Sequence, residues 1–239
     1  MQFEGVYTPI ITPHSEVGAI DKKAFAEVVE FLIASGVHCI VVGGSTGEYY
    51  AQTAEERIKL MNFASEVISH RTLLMVGTGA TRTEDCVMFA KAAKETGADF
   101  LLVNSPQYSL PTDLENAMHS LKIDQAANLP IMLYNYPGRT GTNMGKEFLD
   151  QVGCSKNFCG IKESSGDINR VHLLACDYLN IGLCCGMNDQ ALEFFAWGAR
   201  SWVCAGSNFL PKEHIALYEA CVLEGDYTKG RHIMSALQP

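Results

Sequence analysis

Lys162 has the setting that points most directly to chemistry. It closes the apolar segment 157–162, which indicates a buried strand carrying an amine at its end. A buried amine is partly unprotonated near neutral pH and can attack a carbonyl carbon to form a Schiff base. A lysine at a strand end more commonly packs its stem on apolar neighbours and keeps its ammonium in water. Lys162 taken alone favours that ordinary role, so its companions decide the assignment.

A glycine-rich loop, residues 43–47, has the spacing Gly-x-Ser-x-Gly around Ser45. The same spacing forms the nucleophile turn of serine hydrolases, but only two predicted strands precede it and no recognisable triad partners follow in later loops. Closely spaced glycines also let backbone N–H groups and the hydroxyls of Ser45 and Thr46 converge on a carboxylate. We favour an anion-binding loop, with a plain turn as the alternative.

Further side chains fit a carbonyl chemistry. Tyr134 closes the fifth predicted strand, one step around the sheet from Lys162, where its phenol can transfer a proton near an imine. Thr46 and Tyr108 are candidate relay hydroxyls for that proton. Arg139 offers a planar fork suited to a carboxylate. Taken singly, the tyrosine could equally anchor a loop and the arginine could be a surface residue.

Other cofactor and metal motifs are incomplete. Gly77-Thr78-Gly79 begins a dinucleotide fingerprint, but Arg82 stands where the third glycine is required, and no P-loop sequence is present. The seven histidines form no zinc-binding spacing. The nine cysteines are odd in number and lack a Cys-x-x-Cys pair. We expect free core thiols in a reducing compartment and no metal.

The elements that position these residues alternate along the chain. Short apolar runs alternate with longer segments of helical period, which is typical of βα units around a parallel sheet. The runs predict eight strands, at residues 5–11, 38–42, 73–77, 100–103, 131–134, 159–162, 181–184 and 201–205. Three of the helical segments are followed by a glycine suited to a helix C-cap: Gly36, Gly97 and Gly198.

Eight βα units predict a (β/α)₈ TIM barrel, with an open doubly wound sheet as the alternative. The predicted catalytic barrel covers residues 1–225, and residues 226–239 are predicted to start a C-terminal helical extension. Active sites of such barrels lie at the C-terminal ends of the strands. Polar or glycine-rich segments follow the second to the eighth strand, as that rule requires.

Composition narrows the class of protein. The 239 residues are 47% hydrophobic and 19% charged, enough apolar sequence for one large core. The net charge of -9 and a pI near 5.2 argue against binding to nucleic acid. Residues 1–5 lack the features of a secretion signal, and no apolar run is long enough to cross a bilayer. We expect a cytoplasmic protein without a membrane partner.

Three segments together resemble one family. They are 44–48 (Gly-Ser-Thr-Gly-Glu), 134–141 (Tyr-Asn-Tyr-Pro-Gly-Arg-Thr-Gly) and 160–167 (Gly-Ile-Lys-Glu-Ser-Ser-Gly-Asp). In order and spacing they are similar to the signatures of the dihydrodipicolinate synthase and N-acetylneuraminate lyase family, from about Gly5 to the end of the chain. Members are (β/α)₈ class I aldolases and related lyases that hold pyruvate or another 2-oxo acid as an imine on a barrel lysine.

The resemblance implies a role for each candidate residue. Lys162 forms the Schiff base, Tyr134 is the acid/base group, and Thr46 and Tyr108 complete the relay, with Tyr108 reaching into a neighbouring subunit's site. The implied substrate-binding residues are Ser45, Thr46, Arg139, Gly186 and Val203. No metal or organic cofactor is implied. The family also suggests a homo-oligomer, a dimer or tetramer, and for its synthase branch a place in lysine biosynthesis.

The resemblance leaves the second substrate open. The motif around Arg139 resembles that of the synthase branch, 4-hydroxy-tetrahydrodipicolinate synthase. In that branch the corresponding arginine holds aspartate semialdehyde. Ser45-Thr46 is more similar to the N-acetylneuraminate lyases and the 2-keto-3-deoxy sugar acid aldolases or dehydratases. Gln107 and Trp202 also differ from what we expect near the mouth of the site. A non-catalytic 2-oxo acid sensor and a serine hydrolase are more remote alternatives.

Length is a further difference from the family. Its members usually continue beyond the barrel into a small helical region. We expect most of that region to be missing from this chain.

Overall fold

The fold is a closed barrel of eight parallel strands, given by a computed structural model that describes residues 3–238. The strands are β1 Gly5–Pro9, β2 Cys39–Val42, β3 Leu73–Gly77, β4 Phe100–Asn104, β5 Ile131–Asn135, β6 Phe158–Glu163, β7 Gly182–Cys185 and β8 Ser201–Val203. Their order around the barrel follows their order along the chain, and β8 pairs with β1 to close it. The predicted (β/α)₈ barrel is confirmed, and the open-sheet alternative is wrong.

Helices cover the outside of the barrel. They are α1 Lys22–Ala34, α2 Ala54–Ile68, α3 Thr83–Glu95, α4 Asp113–Ala127, α5 Pro137–Thr140, α6 Lys146–Val152, α7 Ile168–Asp177, α8 Ala191–Ala196, α9 Pro211–Tyr218 and α10 Tyr227–Leu237. A wider turn, Glu219–Leu223, continues α9. Within residues 3–238, no helix is both long and apolar enough to cross a membrane.

The helix α10 lies in the segment predicted to begin a C-terminal extension. Residues 1–2 of the predicted barrel and Pro239 of that extension lie outside the described residues.

Local sequence signals explain where several helices begin and end. Thr53 and Glu56 form a reciprocal capping box at the start of α2, and Thr112 and Glu115 form another at α4. The three predicted C-cap glycines all adopt positive φ, at +86° for Gly36, +80° for Gly97 and +85° for Gly198. Glycine enters that region without steric cost, so these helix ends are as predicted.

The strand ends differ slightly from prediction. The first strand ends at Pro9 and not at residue 11, because the N–H of Ile11 bonds to the side chain of Asn208 instead of to a neighbouring strand. The eighth strand ends at Val203, since the chain turns at Ala205 into the short helical turn Gly206–Asn208.

The inside of the barrel is filled at its N-terminal end. Phe3 and Phe100 meet edge to face, with ring centres 5.0 Å apart, and Tyr7 stacks on Phe100 at 6.4 Å. Gly160 leaves the space that Phe3 occupies, since a side-chain carbon there would lie 2.7 Å from the phenylalanine ring. These three aromatic side chains fill that end of the barrel interior.

The cysteines are free thiols. Cys39, Cys184, Cys185 and Cys204 are buried, as predicted for core residues, and Cys159 is half-buried. Burial raises the pKa of Cys184 to about 11 and that of Cys204 to about 12. Such thiols are weak nucleophiles at neutral pH.

Candidate active site

The centre of the site is a lysine and a tyrosine on adjacent strands. The register of β5 and β6 pairs Tyr134 with Lys162, and both side chains face the barrel interior. The Nζ atom of Lys162 lies 3.7 Å from the centre of the Tyr134 ring. Only 7% of Lys162 is exposed. The buried amine therefore lies over the face of the phenol ring. Such a face attracts cations, and the hydroxyl of the same ring lies near the amine.

Gly186 fixes the direction of the lysine stem. A side-chain carbon at this position would collide with Ser164 Oγ and would lie 3.0 Å from Lys162 Cγ. The N–H of Gly186 donates to the carbonyl of Glu163 at 3.0 Å. The backbone of the loop after β7 therefore lies directly against Lys162, and only a glycine permits this approach.

A cavity of about 260 Å³ opens above the amine. Its lining includes seven predicted site residues: Ser45, Thr46, Tyr134, Arg139, Lys162, Gly186 and Val203. Pro9, Tyr136, Met187, Asn188 and Ala205 complete the lining. Among the lining residues of the described chain, two are basic, Lys162 and Arg139, and none carries a carboxylate. The cavity suits a small molecule that carries negative charge.

The loop after β2 brings two hydroxyls to this cavity. Ser45–Gly47 forms one short helical turn, and Gly43 enters it with φ of +72°. Thr12 Oγ1 and Gln52 Nε2 both donate to the carbonyl of Gly47, at 2.8 and 2.9 Å. The turn is thereby held in place, with Ser45 and Thr46 half-buried at the cavity wall.

Arg139 stands at the cavity mouth on the one-turn helix α5. The carbonyl of Tyr136 accepts from the N–H groups of Arg139 and Thr140, at 2.9 and 3.0 Å, which folds the turn. The guanidinium carbon lies 5.9 Å from the centre of the Tyr136 ring. The neighbouring Tyr136 side chain raises the pKa of Arg139. Arg139 is exposed and positively charged at the mouth of the cavity.

Tyr136 is a lining residue that the sequence reasoning missed. Its ring centre lies 5.8 Å from that of Tyr134, so Lys162, Tyr134, Tyr136 and Arg139 form a row from the buried floor to the exposed mouth. The available signal was position, because Tyr136 follows Tyr134 by two residues, the spacing that keeps side chains on one face of a strand.

Tyr108 does not line the Lys162 cavity within one chain. Its side chain is 93% exposed, with φ of +72°, and it borders a second cavity of about 520 Å³ together with Arg57 and Gln107. Gln107 Nε2 donates to the Tyr49 hydroxyl at 2.9 Å, and both residues also line a small cavity together with Tyr134 and Arg139. The predicted reach of Tyr108 into a neighbouring subunit stays a prediction.

The placement of Trp202 near the mouth was wrong. Trp202 is buried outside the barrel wall, where it packs against Phe195 at 5.9 Å and His214 at 5.1 Å between ring centres. In β8 it is Val203 that faces the interior. Adjacent apolar residues in a strand point to opposite sides, and the sequence alone does not say which one points inward.

Arg57 is a second residue that the sequence reasoning missed. Its guanidinium is buried between the rings of Tyr49 and Phe89, at 4.9 and 3.7 Å from their centres. It donates to the carbonyls of Gly77 and Gly79, at 2.9 and 2.7 Å. Burial lowers the pKa of Arg57 to about 10. Arg57 therefore holds the loop after β3 in place next to the active site.

Comparison with known proteins is consistent across sequence and structure. A profile described as the dihydrodipicolinate synthetase family matches residues 2–239. A 4-hydroxy-tetrahydrodipicolinate synthase from Exiguobacterium sibiricum is 34% identical over 238 residues, which cover 99% of this chain and 81% of the relative.

Solved structures agree with this match. A dihydrodipicolinate synthase from Aquifex aeolicus superposes with a TM-score of 0.94 at 31% identity, covering 98% of this chain and 80% of that one. The chloride-inhibited synthase from Acinetobacter baumannii, solved with pyruvate, gives a TM-score of 0.92 at 30% identity, covering 97% and 80%.

Proposed function

This chain belongs to the dihydrodipicolinate synthetase family, and we propose that it condenses pyruvate with an aldehyde through a Schiff base on Lys162. The named relatives are 4-hydroxy-tetrahydrodipicolinate synthases, so aspartate semialdehyde is the proposed aldehyde. One observation carries the proposal. The Lys162 amine is buried at the floor of a cavity, 3.7 Å from the centre of the Tyr134 ring.

The proposed chemistry begins at the lysine. The lone pair of the Lys162 amine attacks C2 of pyruvate, water leaves, and the resulting iminium withdraws electrons from C3. C3 then loses a proton to give an enamine, whose carbon attacks the aldehyde; the aldehyde oxygen takes up a proton as the new C–C bond forms. The amino group of the aspartate semialdehyde then attacks the iminium carbon and displaces Lys162, which leaves as the free amine. Tyr134 supplies and removes protons in two steps: when water leaves the first adduct of the amine, the carbinolamine, and when the enamine forms. Thr46 and Tyr108 are the proposed relay to solvent. No metal or organic cofactor takes part in these steps.

The proposed carboxylate site is the turn after β2. The hydroxyls of Ser45 and Thr46 and the N–H groups of that turn would bind the carboxylate of pyruvate. Gly186 and Val203 would form the walls on either side of the imine. This arrangement is supported by the lining of the cavity, in which all four residues and Lys162 take part.

The charge of the cavity favours an aldehyde that carries its own carboxylate. Lys162 and Arg139 are the charged groups among the lining residues of the described chain. The guanidinium fork of Arg139 matches a carboxylate, and aspartate semialdehyde presents one. The several hydroxyl groups of a sugar acid would instead need hydrogen-bond acceptors as well as donors in the cavity lining. The synthase activity is therefore proposed first.

One observation favours a second candidate. Ser45 precedes Thr46 where the synthase branch is expected to have paired threonines, and this pair resembles the N-acetylneuraminate lyases and 2-keto-3-deoxy sugar acid aldolases or dehydratases. Differences of a few contacts decide between such substrates.

Assembly and location are part of the proposal. Tyr108 and Leu110 present exposed apolar surface, 93% and 62% exposed, next to the active site. A dimer or tetramer would cover this surface and let Tyr108 of one copy complete the relay of another. Nine free thiols fit a reducing compartment, so we propose a cytoplasmic enzyme.

A substrate panel tests the proposal. Purified protein is supplied with pyruvate and aspartate semialdehyde, and in parallel with N-acetylneuraminate and 2-keto-3-deoxy sugar acids. Turnover of the first pair is expected. Activity only on the sugar acids would overturn the role given to Arg139. Pyruvate binding without turnover of any substrate would indicate a sensor, and labelling of Ser45 by a fluorophosphonate would indicate a hydrolase.

A further inference from the structure

A second pair of side chains lies on the opposite side of the two strands that carry Lys162 and Tyr134. The same register that pairs Tyr134 with Lys162 pairs the next residues, Asn135 and Glu163. Because side chains alternate along strands, this second pair points away from the barrel interior. Glu163 is 1% exposed, and its Oε2 accepts from Asn135 Nδ2 at 2.8 Å. The two strand ends that carry the reacting groups are thus joined behind them.

The carboxylate of Glu163 has further partners. Arg170, on α7, places its Nε 3.4 Å from Oε2, and the N–H of Ser165 donates to Oε1 at 2.7 Å. Of the ion pairs in residues 3–238, this one has both side chains at 10% exposure or less. Both oxygens of the carboxylate therefore have donors, which come from β5, from α7 and from the turn after β6.

The same contacts reach the segment that follows Arg139. Asn135 Oδ1 accepts from the N–H of Met144 at 2.9 Å, and its Nδ2 also donates to Asn143 Oδ1 at 2.8 Å. Arg170 Nη2 donates to the carbonyl of Met144 at 2.8 Å. We refer to Asn135, Asn143, Met144, Glu163 and Arg170 as the Glu163 cluster. It ties together β5, β6, α7 and the chain beyond α5.

The backbone of Glu163 links the cluster to the lysine stem. Its carbonyl accepts the N–H of Gly186, whose backbone lies against Lys162. The next residue, Ser164, donates its N–H to the carbonyl of Asn135 at 2.9 Å. A displacement of Glu163 would therefore move both the strand that carries Lys162 and the loop that packs on its side chain.

Stability alone does not account for a buried ion pair at this place. Desolvation of two charges opposes folding, and well-packed apolar residues often replace such pairs without loss. A reaction that needs an amine and a phenol in fixed contact gains from rigid support, because a displacement of about 1 Å can lower a rate about a hundredfold. Resting on the proposed function, we propose that Glu163 is a positioning residue that holds Lys162 and Tyr134 in reactive alignment.

The test is the variant Glu163→Gln. The neutral amide leaves Arg170 without its counter-charge and cannot accept from Asn135 and Ser165 as the carboxylate does. We expect kcat per folded molecule to fall about 10- to 100-fold. We expect KM for pyruvate to change less than kcat, because the cavity lining is untouched. The rate constant for borohydride trapping of pyruvate at saturation should fall with kcat.

A matched control separates positioning from stability. Asp124 is a buried carboxylate at the other end of the barrel, where it accepts from Ser155 Oγ at 2.7 Å and Asn157 Nδ2 at 2.6 Å. Asp124→Asn should lower the unfolding temperature and leave kcat per folded molecule unchanged. If Glu163→Gln does not fold, Glu163→Asp keeps the charge for Arg170 but shortens the reach, and should lower kcat with a native far-UV spectrum.

The outcomes distinguish this proposal from the one it rests on. Wild-type protein that forms no borohydride-stable adduct would overturn the proposed function itself. Wild-type protein that forms the adduct, with folded Glu163→Gln or Glu163→Asp reacting at the wild-type rate, would overturn the positioning role of Glu163 alone.

Discussion

The amine of Lys162 lies over the face of the Tyr134 ring, with 3.7 Å between Nζ and the ring centre. The contact joins two neighbouring strands whose register pairs these residues. A carbon bonded to this amine would stand beside the phenol. One cross-strand pair therefore brings together the group proposed to form the imine and the group proposed to move its protons. The proposed division of roles follows from this contact.

Tyr134→Phe should separate packing from proton transfer. The ring that supports Lys162 is kept, and only the hydroxyl is lost, so we expect an unchanged unfolding temperature and a kcat about 10²- to 10⁴-fold lower. Tyr7→Phe is the matched control, since Tyr7 is another buried tyrosine inside the barrel, stacked on Phe100. Steady-state turnover is measured for both variants. Equal losses in the two variants would argue against a specific role for the Tyr134 hydroxyl.

Arg139→Ala should weaken use of the aldehyde and leave the pyruvate imine intact. A hydrogen bond to a charged group contributes about 1.5–3 kcal/mol, so kcat/KM for aspartate semialdehyde should fall roughly 10- to 150-fold. Trapping of pyruvate on Lys162 should proceed as in wild type. Arg231→Ala removes an exposed arginine from α10 and should change neither. A normal kcat/KM in Arg139→Ala would remove the basis for choosing this aldehyde.

Gly186→Ala should disturb the lysine from the other side. The new methyl group collides with Ser164 Oγ and lies 3.0 Å from Lys162 Cγ, so the loop or the lysine stem must move. We expect the trapping rate constant for pyruvate to fall about 10- to 100-fold, by the same sensitivity to misplacement. This rate constant is measured by quenching the trapping reaction at successive times and quantifying the adduct by mass spectrometry. A variant that traps pyruvate at the wild-type rate would show that Gly186 does not set the direction of Lys162.

His119 should contribute to loss of stability in acid. Burial lowers the pKa of His119 from the ordinary 6.5 to about 4, and its Nδ1 lies 2.9 Å from Thr83 Oγ1. Between these pH values the unfolded chain binds a proton that the folded chain does not, so stability rises with pH across this window and falls on acidification. The full effect is on the order of 3 kcal/mol at the acid end.

The variant His119→Asn isolates this contribution. Its amide replaces Nδ1 beside Thr83, and it does not titrate in this range. Urea unfolding between pH 4 and 6.5 should show that the free energy of unfolding depends less steeply on pH in the variant than in wild type. Burial also lowers the pKa of His38 and His214, so some slope should remain. Parallel curves for variant and wild type would contradict the role given to His119.

Much of this arrangement was predictable from sequence. The alternation of apolar runs and helical segments gave the barrel, and the rule that sites lie at strand ends placed Lys162 and Tyr134 together. Both conclusions depend on local pattern, which a single sequence displays. The side of a strand is harder to predict when neighbouring residues are both apolar, and this is why Trp202 was misplaced.

The remaining features depend on contacts between distant parts of the chain. Glu163, Asn135 and Arg170 meet only when two strands are in register and α7 packs beside them, so no local pattern indicates their cluster. Arg57 lies on the buried face of α2 with Leu60, and its burial depends on carbonyls that another loop supplies.

The most direct measurement is the site of covalent attachment. Protein incubated with pyruvate and sodium borohydride is digested, and the modified residue is identified by mass spectrometry. We predict a stable adduct on Lys162, and none in Lys162→Arg, which keeps a positive charge over Tyr134 but forms no imine. Turnover should fall more than about a thousandfold in that variant. An adduct on a different lysine, or retained turnover in Lys162→Arg, would contradict the assignment of Lys162 as the imine-forming residue.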